Sequence, residues 1–505
     1  MKTWLKNHWL LLVIVGISLF LRLYRIGATL TFLEDEGRDL LIVKRMLDTH
    51  LPVLLGPQTS TGNMYLGPLY YYLITPWLVL SHMDPVGPAI FVALSGGLTA
   101  YLLFVLGKKW FSPASGYLAA FLYAVLPFAV SVNRGSWNPN LVPLVAVLML
   151  LVFDRLAFAK APSRWWWLWY GALVGVMIQL HYMALVFCAA LSLALVWVWR
   201  RDLRRLFLGI ALALVGFLAL LSPFFLFEIR NDWVNTKALF GFVTATREHN
   251  LRYDPPLSLY WHKLSGVTYG MATDVMVGRS MGNVAPSLPA LLGAVLIIVI
   301  SLYHAIRRRH GPYLLLAAVS AVSLLVLGFY QETIHPHYLE FFIPLLLLLI
   351  TPLFYKKLNL VLGFALGLAC VPFTWGYISS GPTHQAEKAR AVVDYIVRQA
   401  GDSAYNLVSS GSTNTTPYQY YAFISSHPPV NTAASDVFIV CQDAPCSKND
   451  IDTKLLFIHG PAHPALGNYI GHPLAAYVGE GREVVSNEHV STGVFVAHIR
   501  LVPNH

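Results

Sequence analysis

Three carboxylates stand in a row in TFLEDEGRDLLIVKRML, residues 31–47: Glu34, Asp35 and Glu36. A carboxylate within hydrogen-bond reach of a hydroxyl can take its proton as a general base, and a second acid beside it can hold the geometry. Asp35 and Glu36 are therefore the candidate catalytic pair. The residues that follow carry a helical pattern, with Leu40, Val43 and Leu47 on one face and Arg38, Asp39 and Arg45 on the other. That pattern predicts a short amphipathic helix on a membrane surface with the acids at its start. The same placement has a purely structural reading, because carboxylates favour the positive end of a helix dipole.

Five other places carry residue types suited to an anionic substrate. Arg134 in VNRGSWNPN and Arg230 in FFLFEIRND stand at span ends, where a guanidinium fits a lipid phosphate; either could instead snorkel or pair with a neighbour such as Glu228. His181 in IQLHYMAL interrupts a charge-free run at the outer end of a helical hairpin, where polar residues line cavities or satisfy a hinge. His337 in TIHPHYLEFF and Tyr71 in GPLYYYLITPW complete the candidate donor-phosphate and substrate contacts. His335 and His337 match no closed zinc spacing, and helix-end histidines also serve as hydrogen-bonded structure. No metal and no cofactor is assigned. No glycine-rich phosphate fingerprint follows a strand, so nothing calls for a nucleotide.

The elements that must position these groups are membrane helices. Only 12% of the 505 residues are charged and 56% are hydrophobic, against about 25% charged in a soluble chain. Charge-free windows of about 20 residues, enough to cross a bilayer, cover 85–107, 111–133, 135–153, 206–227, 280–306, 311–331 and 358–385. The shorter windows 7–21 and 341–355 become spans if Arg22, Glu340 and Lys356 snorkel to the interface. The run 165–199 is too long for one span and reads as two, hinged at Gln179-Leu180-His181. The expected fold is a polytopic α-helical membrane protein of about eleven spans.

The net charge of +10 sits mostly in short clusters between spans, such as Arg200, Arg201, Arg204 and Arg205. Such clusters set orientation, so they argue for a cytoplasmic amino terminus and an outside carboxyl terminus, not for a nucleic-acid partner. The run 64–80 keeps this parity only if it lies along the outer surface, where Tyr70, Tyr71, Tyr72 and Trp77 suit an interface. Lys2 and Lys6 precede an apolar run without a cleavage site, which predicts an uncleaved signal anchor.

Residues 1–380 form the expected membrane domain, with a first outer loop at 27–84 and a lid-like outer loop at 228–286. Residues 381–505 turn soluble: HQAEKARAVVDYIVRQ reads as an amphipathic helix, and YNLVSS, DVFIVC, KLLFIHG and GVFVAHI as strands of a small extracytoplasmic α/β domain. Cys188 and Cys370 fall inside spans, so a disulfide must join Cys441 and Cys446. The domain reads as a cap or contact module without chemistry of its own.

Taken together, the segments LRLYRIG, EDEGRDLLIVKRML, GPLYYYLITPW, NRGSWNPN, IQLHYMAL and HYLEFFIPLLLLL resemble the GT-C superfamily of membrane glycosyltransferases, glycosyltransferase family 39 type. That branch holds the protein O-mannosyltransferases and the lipid A aminoarabinose transferase, and the resemblance spans residues 1 to about 380. It implies a GT-C fold, a donor sugar on polyprenyl or dolichyl phosphate, and Asp35 as the base of the outer-loop Asp-Glu pair. Two departures stand out. Gly67 precedes Pro68 where some relatives carry a phosphate-holding lysine, and Asn138-Pro139 replaces an Asp-Pro.

The expected activity is inverting transfer of a hexosyl or pentosyl group from a polyprenyl-phosphate donor to an acceptor hydroxyl of a glycan, lipid or protein. It would take place at the outer face of the cell (plasma or inner) membrane. The rivals are a polysaccharide ligase or polymerase and a lipid-linked sugar transporter. A transporter would favour repeat symmetry and ionisable groups near the bilayer midplane, whereas these carboxylates lie at the outer surface.

Overall fold

The computed structural model describes residues 2–59, 64–244, 299–301, 303, 306–307, 310–330, 334–354, 357–379, 384–409, 416–430, 434–448 and 481–502. The chain divides into two units that do not follow its order. Unit 1 comprises Met1–Tyr24, Thr59–Tyr70 and Ala89–Gly381, and unit 2 comprises Arg25–Gln58, Tyr71–Pro88 and Pro382–His505.

Among the described residues, five helical segments are long and apolar enough to cross a membrane: Val86–Trp110, Asn138–Ala157, Tyr182–Trp199, Leu203–Arg230 and Lys357–Ser379. Shorter apolar helices are His8–Leu23, Leu69–Leu80, Pro113–Val125, Gly311–Leu327 and Phe342–Phe354. The hinge expected in 165–199 is present: helix Trp165–Leu180 stops at an extended His181, and Tyr182–Ala184 forms a 3-10 turn into Leu185–Trp199. Trp165–Leu180 packs along Leu203–Arg230 with little between the backbones. A Cβ added to Gly171 would lie 1.7 Å from the Ala213 carbonyl oxygen, so a small residue there is what permits the approach. Most of window 280–306 and residues 245–286 of the expected lid lie outside the described residues.

Window 111–133 is not one helix. It is Pro113–Val125 followed by Pro127–Ser131, with Leu126 extended between them. Pro127 has no N–H to donate four residues back to Tyr123, and its ring drives the preceding residue out of helical geometry. The carbonyls freed at this break are taken by Arg22. Far from snorkelling, Arg22 is fully buried. Its Nη2 donates to Tyr123 O (3.0 Å) and Ala129 O (2.8 Å), its Nη1 to Ala124 O (3.3 Å) and Ser18 Oγ (2.9 Å), and its Nε to Asn133 Oδ1 (3.1 Å). Glu340 does not snorkel either. The 3-10 turn Pro336–Leu339 folds inward, and Glu340, Phe341 and Phe342 are all fully buried.

Unit 2 holds a four-stranded sheet of order β1-β2-β4-β3: β1 (Tyr405–Ser409), β2 (Asp436–Gln442), β3 (Gly481–Ser491) and β4 (Val494–Val502). β1 pairs parallel to β2, and the other two ladders are antiparallel. β2 is central and buried along almost its whole length, which is why DVFIVC reads as an unbroken apolar run. Its core gathers Val408, Val437, Ile439, Ala497 and Ile499 with the disulfide Cys441–Cys446. Helix Gln385–Ala400 matches the expected amphipathic helix. β3 was not foreseen, because GREVVSNEHVS is polar on both faces, and the expected strand KLLFIHG lies outside the described residues.

Candidate active site

The acidic stretch opens a helix, Glu34–Thr49, with Glu34, Asp35 and Glu36 in its first turn. The dipole favours them there, and the Glu36 carboxylate accepts the Leu33 N–H (3.0 Å), satisfying one of the orphan donors at the helix start. The expectation of a solvated polar face fails one turn later. Residues 36–43 are buried without interruption, Arg38 and Asp39 included, because this half of the helix is covered on more than one side. Helix Thr416–Ile424 of the tail packs against it, and Tyr71 closes on Asp39.

The buried pair forms a brace. Arg38 donates from Nε and Nη2 to Asp39 Oδ1 (3.0 and 2.8 Å), Tyr71 donates its hydroxyl to the same oxygen (3.3 Å), and Arg38 Nη1 reaches back to Asp35 Oδ1 (2.7 Å). The Arg38 and Asp39 side chains are 5% and 1% exposed, whereas that of Asp35 is 43% exposed. One carboxylate thus faces out, aimed by a guanidinium that is itself locked from behind. Desolvation pushes the Asp39 carboxyl up to about 6 and the Glu36 carboxyl up to about 7, even against the Leu33 hydrogen bond.

The tail supplies the other support. Thr416 donates its hydroxyl to Glu34 O (2.6 Å), and its N–H points to Glu34 Oε2 (3.3 Å). Gly37 lies directly beneath: a Cβ there would sit 2.5 Å from Thr416 Oγ1, 2.6 Å from the Thr416 carbonyl carbon and 2.7 Å from Pro417 N. Two of these atoms are backbone and cannot rotate away. Gly37→Ala is expected to cost about 1–3 kcal/mol of unit 2 stability, and adding Thr416→Gly is not expected to rescue it, because the clashing backbone atoms remain and the bond to Glu34 O is lost. Thermal melts of both variants check this, and an unchanged midpoint for Gly37→Ala would refute the close contact.

The raised Glu36 pKa has a pH signature. Its folded value of about 7 lies above the ordinary carboxylate range, so the folded state binds the extra proton. The stabilisation is complete below about 4.5 and is lost as pH rises through about 7. Glu36→Gln is expected to flatten the melting temperature between pH 5 and 7.5. A wild-type profile that is already flat there would count against a buried, proton-holding Glu36.

Unit 1 holds a second group. His181 and His337 meet at 5.5 Å between ring centroids, His335 stacks on His337 at 5.7 Å, and Trp137 approaches His337 at 4.4 Å, with Tyr338 against all three imidazoles. His181 Nδ1 accepts the Met183 N–H (3.2 Å). Burial lowers His181 to about 4 and, with its histidine neighbours, His337 to about 3. Both are neutral near pH 7 and offer an N–H to an anion without adding charge. Among the described residues no three His, Cys, Asp or Glu are grouped to hold a metal ion. Glu340, fully buried, has no partner for either carboxyl oxygen among the described residues, and desolvation holds its pKa well above the carboxylate range.

Three further positions explain themselves. Arg134 is buried and donates to the carbonyls of Leu21 (2.7 Å), Arg22 (2.9 Å) and Tyr24 (2.8 Å), the last acceptors of the first helix, so these donors act as a C-terminal cap. Gly67 touches Gln179: a Cβ there would run into the Gln179 side chain, so a lysine would require that buried side chain to shift. Asn138 donates from Nδ2 to Leu180 O (2.6 Å), a bond an ionised aspartate could not donate. Arg230 is exposed at the end of Leu203–Arg230, and Glu228 accepts the Asn235 and Thr236 N–H groups rather than pairing with it.

Comparison with known proteins fits this architecture. Residues 66–227 match the family model for dolichyl-phosphate-mannose-protein mannosyltransferase. ArnT from Cupriavidus metallidurans bound to undecaprenyl phosphate superposes with a TM-score of 0.59 at 15% identity, covering 99% of this chain and 98% of that one. Its apo state gives 0.60 at 14%, covering 98% of each. The chain shares its fold with these ArnT structures. A third structure, the archaeal oligosaccharyltransferase AglB from Archaeoglobus fulgidus in complex with an inhibitory peptide and a dolichol-phosphate, matches at 0.52 and 13% over 87% of this chain and 70% of its own. No curated protein matches the sequence.

Within this fold the structure gathers Asp35, Glu36 and Tyr71 in unit 2, and His181 and His337 in unit 1, while Arg134 serves as a cap and Arg230 stands exposed. The residues missed from the sequence are Arg38 and Asp39. The signal was present: LLIV directly after them occupies every side of one helical turn, so no face was left to be wholly solvated.

Proposed function

We propose that the chain transfers one sugar from a polyprenyl-phosphate donor to an acceptor hydroxyl at the outer face of the membrane. The observation that carries this reading is the half-exposed Asp35 held by the buried Arg38 and Asp39 pair, in a fold shared with a lipid-phosphate-binding relative. Asp35 takes the acceptor proton as the hydroxyl attacks the anomeric carbon, and the lipid phosphate departs with the bonding electrons. A single displacement inverts the anomeric centre. Glu36 fixes the start of the helix, and the neutral His181 and His337 supply N–H donors for polar substrate oxygens.

Purified protein is incubated with labelled undecaprenyl-phosphate sugars and a panel of hydroxyl acceptors, and the product anomer is read by NMR. Inverted product supports the reading. Retained configuration excludes single displacement, and absence of transfer accompanied by transbilayer movement of the labelled lipid favours the transporter. The topology, about eleven spans with the tail outside, is tested by cysteine labelling in intact cells: position 202 is expected to be silent. Reactivity there would reverse the assignment.

A further inference from the structure

Beside the acidic stretch, and wholly within unit 2, lies a cleft of about 290 Å³. Its wall begins with Phe32 and Leu33, the residues immediately before Glu34, and is completed by helix Gln385–Ala400, the start of Thr416–Ile424 and the turn joining β3 to β4. The size falls near the lower end of the about 300–1,000 Å³ of ligand pockets, room for one ring rather than a lipid chain.

The lining alternates donors and acceptors. Gln385 accepts the Phe32 N–H through Oε1 (2.8 Å), which leaves its amide nitrogen as a donor. Gln442 is the reverse: its Nε2 donates to the Tyr418 hydroxyl (3.1 Å), which leaves its oxygen as an acceptor. Lys388 adds a cationic donor and Asp443 an anionic acceptor, and Leu33, Pro417 and Val494 belong to the apolar part of the lining. A phosphate would meet Asp443 and the Gln442 oxygen, and a bare cation would meet Lys388. Vicinal hydroxyls, each able to donate and accept, match the mixture.

We propose that this cleft binds a glycosyl unit of the acceptor, holding a neutral, hydroxyl-rich ring beside the acidic helix. The inference rests on the transfer reading for its role, and on the cleft alone for its ligand class.

The test uses the full-length protein in detergent and p-nitrophenyl glucoside, galactoside and mannoside as probes, with binding read by saturation-transfer NMR. At least one hexoside is expected to bind. Gln442→Leu removes the acceptor, and Asp443→Asn removes the charge while keeping a residue type that tolerates the left-handed backbone found there (φ 67°). Each is expected to weaken hexoside binding about five- to tenfold and to leave undecaprenyl phosphate binding unchanged. No hexoside binding to wild type, or equal binding to the variants, overturns the proposal. Transfer activity separates the two readings. Hexoside binding that depends on the cleft without any sugar transfer removes the enzyme and keeps the site; intact transfer with binding indifferent to the variants removes the site and keeps the enzyme.

Discussion

Asp35→Asn is expected to lower the sugar-transfer rate on the order of 10²- to 10⁴-fold while leaving expression and melting temperature nearly unchanged. Asparagine keeps the shape of the side chain and can still place an oxygen against Arg38 Nη1, now 2.7 Å from Asp35 Oδ1, so the brace survives. Asparagine forfeits the carboxylate's attraction to the helix dipole, worth about 0.3–1 kcal/mol at an exposed site, which is too little to explain a rate loss of that size. What the change takes away is proton affinity on a carboxylate that is 43% exposed. The measurement compares wild type and variant at saturating donor and acceptor, with the melting curve as the control. Undiminished transfer by the variant would falsify the assignment of Asp35 as base.

The second large effect lies inside unit 1. Arg22→Met is expected to destabilise that unit on the order of 3–5 kcal/mol, because one guanidinium answers the backbone acceptors opened by the Leu126 and Pro127 break. Methionine fills much of the volume and supplies no donor, leaving Tyr123, Ala124 and Ala129 carbonyls buried without it. Lysine should recover only part of the loss, since its three donors radiate from one point where Arg22 spreads donors over Asn133, Ser18 and both sides of the break. Cys188 and Cys370 are buried and lie outside the disulfide, so a thiol-reactive fluorophore that responds on heating reports unfolding directly. Coincident melting of wild type and Arg22→Met would show that water or lipid satisfies these carbonyls equally well.

The two arginines also mark where sequence reasoning stops. Helix existence was legible along most of the membrane unit, because long charge-free runs have few alternatives, and the hinge at His181 was legible because one polar residue interrupts such a run. The break at Pro127 was less so: hydropathy is blind to a missing N–H, and a window of apolar residues looks the same whether the helix continues or not. Arg22 was expected at the interface for the same reason, since its acceptors lie about a hundred positions away in the chain. At the candidate site, Asp35 and Glu36 were legible from a local run of charge. The brace of Arg38, Asp39 and Tyr71 was not, because burial of a polar helical face depends on what packs over it, and the tail that does so is distant in sequence. β3 escaped notice because its alternation is weak, and only its pairing with β4 fixes it as a strand.

The contact between Glu34 and Thr416 joins positions 382 residues apart. During synthesis at about 5–20 residues per second, the acidic helix therefore leaves the ribosome roughly 20–80 s before the segment that braces it exists. For that interval Gly37 has nothing above it, and the carboxylates stand without their far-end support. A nascent chain, or one cut short before Thr416, would hold its membrane helices yet lack an assembled acidic site. Translation itself would then delay assembly of the acidic site until nearly the whole chain has been made.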